Sequence, residues 1–110
     1  MMYNKGNDMT LDFINQLVAE RNIRWSTHAV ERMQERGITR KDVIRCLEDG
    51  EIIEEYPDDY PTLSCLVCGR AQADGLIHVV VGCDDNLVYI ITAYRPNLTV
   101  FEHDLRTRKE

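Results

Sequence analysis

At 110 residues, with 13 Lys and Arg against 19 Asp and Glu and a formal charge of -6, the chain has the size and balance of one acidic globular domain. A chain this short buries roughly two-thirds of the surface its unfolded form exposes, enough for one modest core and too little for a large cavity, so any chemistry belongs in a surface groove. With 44% apolar and 29% charged residues it is too apolar to be disordered, and its acidity argues against tight, indiscriminate binding to nucleic acid or an anionic membrane.

The opening MMYNKGNDMT is polar and lacks the apolar stretch of a secretory signal, so a cytoplasmic protein is expected, with Cys46, Cys65, Cys68 and Cys83 reduced. Leu11, Ile14, Leu17 and Val18 recur at helical spacing after Thr10, which predicts a first helix within 10–22. A second runs from a cap at Ser26 or Thr27, carries Ala29, Val30 and Met33 on its apolar face, and stops at Gly37. Thr39 with Asp42 three residues on reads as a capping box for a third helix, whose core face is Val43, Ile44 and Leu47 and which Gly50 closes.

Beyond Gly50 the period becomes extended in EIIEEY, TLSCLVCGRA, LIHVVVGC and LVYIITAY, each rich in β-branched or aromatic residues. The separators Pro57-Asp58-Asp59-Tyr60-Pro61, Asp74-Gly75 and Asp84-Asp85-Asn86 are too short for crossovers to parallel neighbours. The expected fold is α+β: one domain over 1–110, with three N-terminal helices (10–50) packed on one face of a four-stranded antiparallel meander (51–96) and a polar tail at 97–110. The other face of the sheet is then free, as a groove or a partner surface. No apolar segment is long enough to span a membrane as a helix.

Charge is uneven. Residues 21–45 carry a net +4, from Arg21, Arg24, Arg32, Arg36, Arg40, Lys41 and Arg45 against Glu31, Glu35 and Asp42, whereas residues 46–105 carry -10. Such asymmetry suits a local polyanion-facing surface on an acidic protein, or a solvated helix face balanced by the sheet. Within the basic block, His28, Arg32, Glu35 and Arg36 fall on one stripe of the second helix. An imidazole near a helix N-terminus has its cationic form disfavoured, and paired guanidiniums suit a phosphate. His78 interrupts an apolar strand, and Tyr94 and Arg95 end the last one. Arg32, Arg36 and Arg95 are the candidate phosphate ligands. The plainer alternative pairs the arginines with Glu31 and Glu35 and leaves His78 a hydrogen-bonded core residue.

Cys65 and Cys68, with His78 and Cys83 downstream, superficially suggest zinc. In a strand, positions three apart point to opposite faces and no turn residue separates these cysteines, so no metal site and no cofactor is expected. No phosphate-binding glycine loop or serine-hydrolase elbow is present.

The runs R-W-S-T-H-A-V-E-R-M-Q-E-R-G-I-T-R-K-D-V, G-E-I-I-E-E-Y and I-I-T-A-Y-R-P resemble a family of small uncharacterised bacterial proteins marked by WSxHAxERMxERGI and TAYRP. These proteins are similar to the wider RelE-like and BrnT-like toxin superfamily. The resemblance implies helices before an antiparallel sheet, metal-independent RNA cleavage, and an antitoxin partner of the zinc-finger, helix-turn-helix type. The matching polar positions are His28, Glu31, Arg32, Glu35, Arg36, Tyr94 and Arg95, with His78 as the strand histidine. The acidic overall charge departs from the basic character of RelE-type ribonucleases. In the expected chemistry one histidine or Glu31 takes the ribose 2′-hydroxyl proton, the other histidine protonates the leaving oxygen, and Arg32 or Arg95 stabilises the phosphorane. The alternative is a non-catalytic module whose acidic Glu54, Glu55, Asp58 and Asp59 dock a basic protein or a second copy of the chain.

Overall fold

The computed structural model describes residues 10–71 and 75–109. The polar leader at 1–9 and the turn at Asp74 lie outside the described residues. Three helices, α1 (Leu11–Ala19), α2 (Thr27–Glu35) and α3 (Arg40–Asp49), accompany five strands, β1 (Ile23–Trp25), β2 (Glu51–Tyr56), β3 (Leu63–Arg70), β4 (Leu76–Cys83) and β5 (Val88–Tyr94).

The caps explain where the helices start. Thr10 accepts the Phe13 N–H at 3.1 Å, and Ser26, not Thr27, accepts that of Ala29 at 3.0 Å. At α3 the capping box closes in both directions, with Thr39 accepting from Asp42 N and Asp42 accepting from Thr39 N. Gly37, at φ 68°, ends α2 in a Schellman motif: its N–H reaches Gln34 O, and the Ile38 N–H reaches Met33 O. The same bonds end α1 at Arg21 N to Val18 O and Asn22 N to Leu17 O, with Arg21 in the left-handed region at φ 64°.

The sheet order is β1-β5-β4-β3-β2. The expected meander is present as β2 to β5, all antiparallel, but the sheet has a fifth strand. β1 lies on the outer edge of β5 and is parallel to it, with Ile23, Arg24 and Trp25 opposite Val88, Tyr89 and Ile90. A three-residue strand has no periodicity of its own, and it is defined by its partner.

All three helices cover one face. Ile14 and Leu17 of α1, Ala29 and Met33 of α2, and Val43, Cys46 and Leu47 of α3 share one buried cluster with Cys65, Val67, Ile77, Val79, Val81, Val88, Ile90 and Ala93 from alternate strand positions. The closest approach is α3 on β3. A Cβ placed on Gly69 would lie 2.6 Å from the Cys46 carbonyl oxygen and 3.0 Å from its Cα, so only glycine lets the helix come this near.

The opposite face is not free, which corrects the expected open groove. Leu66, Cys68 and His78 are fully buried although they alternate away from the helices. The segment read as a polar tail packs there. Phe101, itself 2% exposed, meets the His78 ring edge-on at 4.6 Å between centroids. A backbone bridge between Phe101 and Arg108 closes the segment on itself. Arg106 pairs with Glu51 and Arg108 with Glu54 on β2, and the Arg108 guanidinium sits 4.9 Å above the Phe101 ring.

Candidate functional site

The residues expected to act together do not all meet. His28 and Glu31 are exposed on the outer side of α2, and Arg32 there spends its guanidinium on Glu35 at 3.1 Å. His78 lies across the sheet, beneath the C-terminal segment. His28 thus stands on the helix side of the sheet and His78 on the other, so the two imidazoles do not converge, and the two-histidine mechanism is corrected on that ground.

Arg36, Tyr94 and Arg95 do converge. β1 stops opposite Ile90, so the rest of the β5 edge has no strand partner among the described residues. Arg36, just past the end of α2, reaches across this gap and donates from Nη1 to Ala93 O at 2.9 Å and Thr92 Oγ1 at 3.3 Å. Arg95 returns the contact by donating from Nη2 to Gly37 O at 3.2 Å. The two guanidiniums thus fasten α2 to β5 through carbonyls, and no carboxylate among the described residues lies within ion-pair distance of either. With Tyr94 and Asn97 they line a shallow concavity of about 460 Å³. Their remaining N–H groups and the amide are donors that suit an oxyanion.

Behind Tyr94 stands His78, its direct neighbour across β4 and β5. His78 Nε2 lies 2.7 Å from Leu105 O, which only accepts, so this nitrogen carries the proton. Nδ1 is then the acceptor for the Tyr94 hydroxyl at 3.4 Å. Burial is the main cause holding the His78 pKa below its ordinary value, reinforced by the Arg108 and Arg106 charges and opposed by the Leu105 carbonyl and Glu54. Burial likewise pushes the Tyr94 phenol up.

The His78 shift has a consequence for stability. The unfolded chain binds this proton near pH 6.5, whereas the folded chain binds it only at lower pH, so stability rises with pH between the two values. The urea midpoint is expected to drop as pH falls below about 6.5, and His78→Gln is expected to flatten that dependence. An unchanged slope in the variant would refute the assignment.

Cys65 faces the helix core while Cys68 lies under Leu105, with its Sγ 4.0 Å from that carbonyl, so the two thiols occupy opposite faces of β3. Burial raises both pKa values, that of Cys65 to about 12. Of the proposed acidic docking patch, Glu54 is held by Arg108 and by the Tyr56 hydroxyl at 2.6 Å, and Asp59 accepts from Ser64. Asn97, Phe101 and Leu105 contribute to the site unannounced by any sequence motif. The one available signal was Phe101, a large apolar side chain in a polar segment.

The fold and site define a small α+β domain with a helix layer, a mixed five-stranded sheet and a cationic concavity where α2 meets the end of β5. The family model described as Domain of unknown function (DUF4258) matches residues 25–95, and the chain belongs to that family. No curated protein and no solved structure matches the chain. The matched segment contains α2, Arg36, His78, Tyr94 and Arg95, and it stops short of Asn97 and the segment that covers His78.

Proposed function

We propose that this protein is a metal-independent endoribonuclease, the toxin of a bacterial toxin–antitoxin pair. The observation that carries this reading is the meeting of Arg36 and Arg95 in one concavity with Tyr94, whose hydroxyl is backed by a neutral imidazole. The guanidiniums bind the scissile phosphate and stabilise the charge that builds on it. The ribose 2′-hydroxyl attacks the adjacent phosphorus. Its proton passes to the Tyr94 oxygen as the tyrosine's own proton moves to His78 Nδ1. The bond from phosphorus to the 5′-oxygen breaks, leaving a 2′,3′-cyclic phosphate, and the departing oxygen takes a proton from water. The hydroxide so formed recovers the proton from His78 through Tyr94. His28, Glu31 and Arg32, on the outer side of the helix, have no part in this scheme.

The purified chain is expected to cut single-stranded RNA in the presence of EDTA, leaving cyclic phosphate ends, and to arrest growth when expressed alone. Intact RNA together with unimpaired growth would overturn the reading. A second, compatible reading is a protein-docking role for the Pro57–Pro61 turn, favoured by Tyr60, which is 93% exposed beside Asp58 and Asp59. A basic antitoxin of the zinc-finger, helix-turn-helix type or a second copy of the chain would meet it there. Loss of co-purification on Tyr60→Ala tests this role.

A further inference from the structure

β3 and β5 both run antiparallel to β4, so their C-terminal ends share one rim of the sheet. His78 aligns Cys68 with Tyr94, which puts Arg95 level with Gly69 and leaves Arg70 one residue further out. Two strand spacings separate them, ~10 Å. Arg70 is exposed and, like Arg36 and Arg95, has no carboxylate within ion-pair distance among the described residues. It lines a second, larger concavity of about 780 Å³ together with Arg45 from α3 and Arg106 from the C-terminal segment. Asp49 and Glu51 also border this concavity, pairing with Arg45 and Arg106 respectively. Five guanidiniums therefore occupy one end of the molecule. The turns that carry Asp58, Asp59, Asp84 and Asp85 lie at the other end, beyond Tyr56 opposite Ser64 and Cys83 opposite Val88.

We propose that this rim is the path of a single RNA strand, which runs from the Arg36 and Arg95 concavity past Arg70 into the second concavity. The inference rests on the ribonuclease reading and adds that the substrate is a polynucleotide held at several phosphates, not a lone phosphate ester. A ~10 Å step suits phosphates one or two nucleotides apart on an extended strand reached by long guanidinium arms. Arg70 is then a binding residue distant from the reacting bond.

The test compares fluorescence anisotropy of a labelled oligouridylate with binding of uridine 3′-monophosphate, using the full chain. Arg70→Gln is expected to weaken the oligonucleotide ~3–5-fold, to lower the slope of log affinity against log salt by about 0.7, and to leave the monophosphate unchanged. Arg36→Gln is expected to weaken both ligands. Arg24→Gln, on β1 at the opposite end of the sheet, controls for net charge and is expected to change neither. If Arg70→Gln binds the oligonucleotide like the wild type, or loses no more than Arg24→Gln, the path is wrong and the Arg36 and Arg95 site stands. Polyglutamate competing as well as oligouridylate would also overturn the path, since the rim would then read charge alone. A wild type that binds neither nucleotide probe removes both the path and the ribonuclease reading.

Discussion

Gly69→Ala is expected to lower stability by about 3 kcal/mol, the upper part of the range for overpacking a filled interior. The added methyl meets the backbone carbonyl of Cys46 at 2.6 Å and its Cα at 3.0 Å, and neither can swing aside as a flexible side chain would. Relief requires α3 to move away from β3, and that opens the contacts of Val43, Cys46 and Leu47 with the sheet. Against a total stability of ~5–15 kcal/mol for a small domain, this is a large fraction. Cys46→Ala removes the thiol but keeps the obstructing carbonyl, so the double variant is expected to recover little. By contrast Gly37→Ala has open space around its new methyl and costs only the left-handed backbone, about 1–2 kcal/mol. Urea titrations of the four proteins check the order; a Gly69→Ala midpoint equal to that of wild type would contradict the close approach.

Replacing both Arg36 and Arg95 by alanine is expected to reduce RNA cleavage at least ~100-fold, the scale seen when a donor to a developing oxyanion is removed. Each arginine also donates to a carbonyl of its neighbour element, so part of any loss could come from loosening α2 against β5. Lysine variants separate the two effects. Arg36→Lys keeps the charge but cannot match the fork of a guanidinium, so it is expected to retain binding better than cleavage. Thermal melts alongside the assay show whether the fold is intact. A double alanine variant that melts like wild type and still cleaves at its rate would sink the assignment of these residues.

The helices and the meander were legible because their signals are local. Thr10, the Thr39–Asp42 box and Gly37 act within a few residues of themselves, and the β-branched runs alternate on their own. β1 was not legible: Ile23–Trp25 is a strand only because Val88–Ile90 accepts it from across the sequence. The same reason hid the fate of the C-terminal segment, whose polar composition says nothing of Phe101 lying over His78 or of Arg106 and Arg108 finding Glu51 and Glu54. At the site, Arg36, Tyr94 and Arg95 were nameable from the helix stripe and the strand end. That His28 would fall away from His78 depended on which face each element turns to the core, a tertiary fact.

The placement of charge along the strands resolves the conflict between a net -6 and the proposed RNA-facing surface. An eight-residue strand such as β3 is ~26 Å long, two to three times the ~8–10 Å over which physiological salt lets charges feel each other. A polyanion at the arginine end is therefore screened from the aspartate turns, and meets Arg36, Arg70 and Arg95, which have no carboxylate partner among the described residues, beside the paired Arg45–Asp49 and Arg106–Glu51. In dilute salt the screening length grows to ~30 Å and the far acids come into range. The molecule then acts as an electric dipole that turns its arginine end towards a polyanion while its net charge resists the approach, so its salt dependence should bend over at low ionic strength instead of following one line.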